Sequence, residues 1–313
     1  GTSTTQNLLM RSASAAFRGG ISGFLAMILQ VVLLMWLRTT VNFQYKNNVG
    51  VMEAFSTLYN DGGILRFYRG ASFALITGPM SRFGDTAANE GVKDFLSGTN
   101  LSISTITFCA SLTAALWRVA ITPLDTMKTT LQVSGNEGWN RLMKNVYKFG
   151  FGTLYSGALG NWTATLVGHY PWFVVNNKLE SILPKNMFES SNSPTPRSKM
   201  MRRAFIGFCS SVVSDCISNG IRVVKTYKQT NDVPMSYMEA LNALMAESSF
   251  GGFSFLVRGL GLKLVSNALS SILFSVLWKM IMEYIQNREK TKQPSMTCKN
   301  NGDLEDGDDS KSK

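Results

Sequence analysis

Charge is what this sequence holds least of. Only 16% of its 313 residues are charged, against 45% hydrophobic, which favours one six-helix membrane bundle over two soluble domains. The longest gap decides the matter: from Gly19 to Leu37 nineteen residues pass without a charge. Ser22 and Gln30 are the only clearly polar side chains in it, and nineteen residues is the length a helix needs to cross hydrocarbon. Cysteine is scarce as well. Cys109, Cys209, Cys216 and Cys298 stand at neither metal-ligand nor disulfide spacing, so they indicate no metal and no compartment. The sole histidine, His169, reads as a satisfied buried group rather than a proton relay. Without a phosphate-cradling glycine loop, a metal-ligand cluster or a nucleophile motif, no catalytic residue, metal or cofactor is assigned and the chain does not read as an enzyme.

Acid is scarcer than base, 20 residues against 31, for a net charge of +11. Such an excess suits an anionic partner: nucleic acid, an acidic lipid surface or an anionic solute. No zinc-finger or RNA-binding motif is present, and the cations cluster at the ends of apolar segments, where lipid headgroups account for them; nucleic acid is therefore excluded. The first acidic residue is Glu53, and the Ser/Thr-rich opening carries Arg11 and Arg18. Residues 1–15 fit the remnant of a transit peptide, and a shortened chain equally well.

An internal repeat organises what is there. Asp61-Gly-Gly-Ile-Leu-Arg-Phe-Tyr-Arg-Gly70 recurs as Lys148-Phe-Gly-Phe-Gly-Thr-Leu-Tyr-Ser-Gly157 and, more loosely, as Phe250-Gly-Gly-Phe-Ser-Phe-Leu-Val-Arg-Gly259. Upstream of each lies an apolar segment ending in a cation, aligned here as Arg38, Lys128 and Arg222. Each repeat predicts a long helix, a polar loop with a short amphipathic helix, the glycine signal and a second long helix. The repeats occupy 16–97, 103–182 and 201–286, with a Ser/Pro/Asn-rich linker at 183–200 and a charged, disordered tail at 287–313. The even helices carry Asp85, Glu90, His169, Asn176, Asn177 and Lys263, and ionisable groups at that depth must face a protein interior or a water-filled cavity. The expected fold class is all-α: six transmembrane helices in three homologous pairs around a central cavity.

These signals, in order over residues 16–286, resemble the mitochondrial carrier family. Its odd-helix signature, Pro-x-[Asp/Glu]-x-x-[Lys/Arg], stands in full at Pro123, Asp125, Lys128 and Gln132; its second signature is complete at Asp61, Gly63, Tyr68, Arg69 and Gly70. The resemblance implies a multi-pass protein of the mitochondrial inner membrane working by alternating access. It implies a matrix gate of Arg38, Pro123, Asp125, Lys128 and Arg222, in which Asp125 meets Arg222. Leu33 and Met35 in the first repeat, and Ile217 and Asn219 in the third, replace the proline and acid, so closing that end is expected to be costly unless an anion or lipid headgroup helps. By the family's spacing the cytosolic gate is Glu90, Lys93, Glu180 and Lys279, a register that opposes like charges and disfavours closure by about a kcal/mol per pair. The same spacing makes Asp85, Arg118, Thr165, Trp172 and Asn267 candidates for the substrate cavity. Gly70, Gly157, Gly259, Arg69 and Arg258 become candidates for contact with anionic lipid, cardiolipin by family resemblance.

Two functions stay open at this point. One is a carrier of a small polar or anionic metabolite; the other is a transport-inactive carrier-fold protein serving as a structural subunit or adaptor in a membrane protein complex.

Overall fold

A computed structural model describes residues 28–96, 101–184, 187–188, 196–248, 252–273, 276 and 280. The candidate transit remnant, the first twelve residues assigned to repeat 1, and the tail lie outside the described residues. The first odd helix is α1 (28–47), followed by α2 (Val51–Asn60), the single turn α3 (Gly63–Arg66) and the even helix α4 (Ala71–Leu96). The second repeat comprises α5 (Ile103–Ala120), α6 (Thr122–Phe149), a 3-10 turn at Phe151–Tyr155 and α7 (Ala158–Ile182). The third comprises α8 (Pro196–Thr230), α9 (Tyr237–Glu247), a 3-10 turn at Ser254–Val257 and α10 (260–273).

Pro123 explains why the second odd helix is recorded as two. Proline lacks an N–H and collides with the carbonyl one turn back, so α5 and α6 meet at 64° beside it. α6 breaks again at Gly135, whose φ of 60° and ψ of −146° lie outside the helical region. Arg66 covers that break. Its guanidinium donates to the carbonyls of Gln132 and Val133, both at 2.9 Å, and is held from behind by Asp61. Burial lowers the pKa of Arg66 while Asp61 opposes the shift.

α4 packs on α5, α5 on α7 and α7 on α8. α1 joins α4 through Val31, Met35 and Ala74, and α8 joins α10 through Asp215 and Asn267. Gln30 of α1 donates to the Ser270 carbonyl of α10 at 3.0 Å, which closes the six long elements into a ring. By length and hydropathy, Met201–Thr230 and Ser254–Leu273 qualify as membrane spans alone, and Thr105–Ala120 with Thr122–Phe149 qualifies as a bent pair. α4 misses that standard because Arg82, Asp85, Glu90, Lys93 and Asp94 sit within it, and the first two face the interior of the ring.

The short helices pack beneath the odd ones. α9 opens with a reciprocal cap in which Ser236 accepts from Glu239 N–H and the Glu239 carboxylate accepts from Ser236 N–H. Ala240 and Leu244 of α9 are buried against Val41, Tyr45, Val223 and Tyr227, so the third repeat's loop helix seats on the first and third odd helices together.

Candidate functional site: a cationic cavity over a polar gate

The ring encloses a cavity of about 450 Å³. Seven cationic side chains line it, Arg38, Arg82, Arg118, Lys128, Arg222, Lys225 and Lys263, against two acids, Asp85 and Asp125. Asp85 reaches across from α4 to Arg118 on α5 at 2.6 Å. Asp125 holds Lys128 at 2.5 Å and Lys225 at 2.6 Å, and accepts a further bond from Asn161 at 3.3 Å. Both acids are thus in ion pairs, Asp85 through one oxygen and Asp125 through both. Arg38, Arg82, Arg222 and Lys263 have no carboxylate within ion-pair reach among the described residues.

At one end of the cavity the three odd helices are bonded to each other pairwise. Asn42 of α1 donates to Gln132 of α6 at 2.7 Å, and Tyr45 of α1 donates to Asn219 of α8 at 2.8 Å. α6 and α8 are joined by Asp125 with Lys225 and by Gln229 donating to Thr126 at 2.9 Å. The gate is therefore shut by one interhelical ion pair and three neutral hydrogen bonds. Amide and phenol groups supply the links between α1 and its two neighbours, where the family's bridges would need acids.

The pairing differs from the sequence expectation. Asp125 meets Lys225, not Arg222, whose Nε donates instead to Ser218 at 3.2 Å. The cause is a one-turn slip in the alignment of the first and third repeats. Thr39 and Thr126 each donate at 2.7 Å to a carbonyl, that of Phe67 and that of Leu154, lying three residues before the closing glycine. A side chain on Gly70 would sit 3.0 Å from the Lys128 carbonyl, and one on Gly259 would sit 3.4 Å from that of Val41. Arg38 is consequently the counterpart of Asp125, and Val41 that of Lys128. In α8 the cation that meets Asp125 is Lys225, so Arg222, three residues earlier, also occupies the acid's row. Gln229 carried the missed signal: it follows Lys225 by four residues, as Gln132 follows Lys128.

Other candidates are placed as follows. Thr165 and Asn267 line the cavity, and Asn267 donates to the buried Asp215. Trp172 is not among the residues lining the cavity; its ring stands edge-on to that of Phe173 at 5.0 Å. Glu180 is exposed near the end of α7 and its carbonyl accepts from Arg202 at 2.7 Å. Lys279 and the side chains of Glu90 and Lys93 lie outside the described residues, as does the like-charge mouth they would form. Gly70, Gly157 and Gly259 press on the Lys128 backbone, the Gln229 side chain and the Tyr45 ring, so these glycines serve close helix packing. Arg258 is buried and directed at Glu247, 3.4 Å away, and Arg69 stands 3.5 Å from Asp61.

Residues 4–100 and 99–187 match the family model described as mitochondrial carrier protein. The chain belongs to the mitochondrial carrier family. It is thereby an all-helical, multi-pass protein of the mitochondrial inner membrane, in a family of transporters rather than enzymes. The third repeat lies beyond the matched residues, yet α8, α9 and α10 follow the same order of elements. A probable calcium-binding mitochondrial carrier from Caenorhabditis briggsae is 21% identical over 266 residues, which cover 82% of this chain and 48% of that protein. The chain thus spans about half the length of the curated relative it matches. Among the described residues no group of His, Cys, Asp or Glu is arranged to hold a metal ion.

Proposed function

We propose that this protein carries a small anionic metabolite through the central cavity by alternating access, with the signature end of the odd helices as its matrix gate. One observation supports this most: seven cations face a cavity whose two acids are already paired. Unpaired cations away from bulk water are costly, and a solute that brings negative charge offsets that cost. Arg118, half-neutralised by Asp85, and the unpaired Arg82 are the first groups such a solute meets on α5 and α4. Thr165 and Asn267 add neutral polar contacts.

Transport requires the Asn42–Gln132, Tyr45–Asn219, Gln229–Thr126 and Asp125–Lys225 contacts to break together when the matrix end opens. Neutral hydrogen bonds of about 1 kcal/mol net each suit a gate that must open and close repeatedly. The test is uptake by liposomes containing the purified protein, across mono-, di- and tricarboxylates, phosphate, neutral solutes and cations. Saturable uptake confined to anions is expected; uptake of cations alone overturns the reading.

A specific observation also favours the scaffold reading: only one of the four interhelical contacts described at the gate is an ion pair. A carrier-fold subunit locked with its matrix end closed would need no more. Absence of uptake for every solute, with comigration in a larger complex on native gels of mitochondria, would establish it.

A further inference from the structure

We propose that Arg38, Arg222 and Lys263 form an oxyanion site at the floor of the cavity, and that its occupant completes the closed matrix gate in place of the missing acids. The inference rests on the anion-carrier reading and assigns it a site on the odd helices, directly above the gate.

Two independent observations lead there. The hydrogen bonds of Thr39 and Thr126, with the packing of Gly70 and Gly259, place Arg38 where Asp125 stands in the second repeat; the Asp125–Lys225 contact places Arg222 in the same row. The acid row therefore reads Arg, Asp, Arg around the three odd helices. Such a row, facing Lys128 and Lys225 one turn below, carries an uncompensated positive charge where a carrier gate closes.

The second observation is the state of these side chains. Arg38 makes a long bond of 3.4 Å to the Ser270 hydroxyl, and Arg222 bonds only the Ser218 hydroxyl. The Lys263 ammonium has no hydrogen bond or ion pair among the described residues, and stands within electrostatic reach of three cations, Arg222, Arg38 and Lys128, and of one acid, Asp215, which Asn267 already engages. All three line the cavity. Neutral hydroxyls leave most of the guanidinium donors unused, and two planar forks with one ammonium suit a multiply charged phosphate or carboxylate group. The other charges around the site are Lys128 and Asp125 on α6, Lys225 and Asp215 on α8, Arg82 and Asp85 on α4 and Arg118 on α5, with His169 on α7; Asp215 is already bonded to Asn267.

An occupant here would bridge α1, α8 and α10 in the closed state, and moving the odd helices apart would dismantle the site. Closure would then depend on anion, with loading from the cytosolic side tightening the matrix end. Cyclic pairing supplies a sharp variant. Asp125 reaches the cation row of the next repeat, so an acid at position 38 would reach Lys128, and Arg38→Glu would install a bridge that needs no anion.

The experiment measures thermal unfolding of the purified full chain in neutral detergent, with inorganic phosphate or citrate titrated against sodium chloride at matched ionic strength. A saturable rise in Tm with phosphate, citrate or both is expected. Arg38→Gln with Arg222→Gln should raise the half-saturating concentration at least tenfold, while the exposed-surface variant Lys144→Gln should leave it unchanged. Should the double variant not fold, Lys263→Gln carries the same expectation alone. Arg38→Glu should raise Tm without anion and abolish the response. An unchanged response in the glutamine variants, or an equal response to chloride, overturns the site. Uptake of anions that survives the double glutamine variant unaltered overturns the site and leaves the carrier reading intact; a saturable Tm response that the variants weaken, with no uptake of any solute, overturns the carrier reading and leaves the site.

Discussion

Asp125 is the residue on which the gate turns. Among the described residues it is the acid that links two odd helices, holding Lys128 within its own helix and Lys225 across to α8. Asp125→Asn would leave both ammonium groups without a counter-charge in a site where Asp125 and Lys225 are 15% and 13% exposed, a loss of about 3–5 kcal/mol by comparison with broken buried pairs. The geometry makes a sharper prediction about partners. Exchanging charges between positions 125 and 225, as Asp125→Lys with Lys225→Asp, should recover part of the loss in Tm and of any transport activity. The same exchange between 125 and 222 should recover none, because Arg222 is bonded to Ser218 instead. A double-mutant cycle on Tm measures both, and a coupling to position 222 larger than that to 225 would restore the pairing first expected from sequence.

At the scale of the element, what the sequence made legible follows its punctuation. Pro123 with Asp125 and Lys128 located the bend of the second odd helix, and the closing glycines Gly70, Gly157 and Gly259 located the starts of α4, α7 and α10. Where punctuation was missing the reading slipped. The first and third repeats lack both proline and acid, so the lone Arg38 of the first and the Arg222–Lys225 pair of the third each fit the signature in two registers. Lys225, Asn42 and Tyr45 were overlooked for that reason; neutral gate partners leave no charge pattern to find. The break in α6 at Gly135 escaped notice too, since a lone glycine in a polar helix announces little. It needs to be glycine: φ is +60° there, and a Cβ would fall 2.5 Å from the Arg69 guanidinium. Gly135→Ala should cost at least about 1–2 kcal/mol from the left-handed backbone alone, and more if Arg69 cannot swing clear. Arg66, folded over the carbonyls of Gln132 and Val133, would lose alignment with it. A drop in Tm of the gate-containing half, read by hydrogen exchange at residues 122–149, checks this; an unchanged exchange rate there would show that the break is not structurally required.

For the whole molecule, the arrangement that matters is a cationic chamber closed below by weak, mostly neutral links. In a carrier the balance between matrix-closed and matrix-open states is set by those links, and each neutral hydrogen bond of about 1 kcal/mol corresponds to a roughly fivefold shift in population. Tyr45→Phe removes the α1–α8 link while keeping the ring that fills the groove beside Val41 and Tyr227. Asn42→Ala removes the α1–α6 link. Together they should favour the matrix-open state by about 25-fold if the links act independently, leaving the Asp125–Lys225 pair as the main restraint. A cysteine placed at Thr165 inside the cavity reports the change. In oriented liposomes its labelling by a membrane-impermeant maleimide from the matrix side should accelerate in the double variant, and labelling from the opposite side should slow. Acceleration on the matrix side alone, with the opposite rate unchanged, would mean that the gate leaks without the helices exchanging states. Unchanged labelling from both sides would mean that Asn42 and Tyr45 hold packing rather than the gate, and the closed end would then rest on the α6–α8 contacts, Asp125 with Lys225 and Gln229 with Thr126.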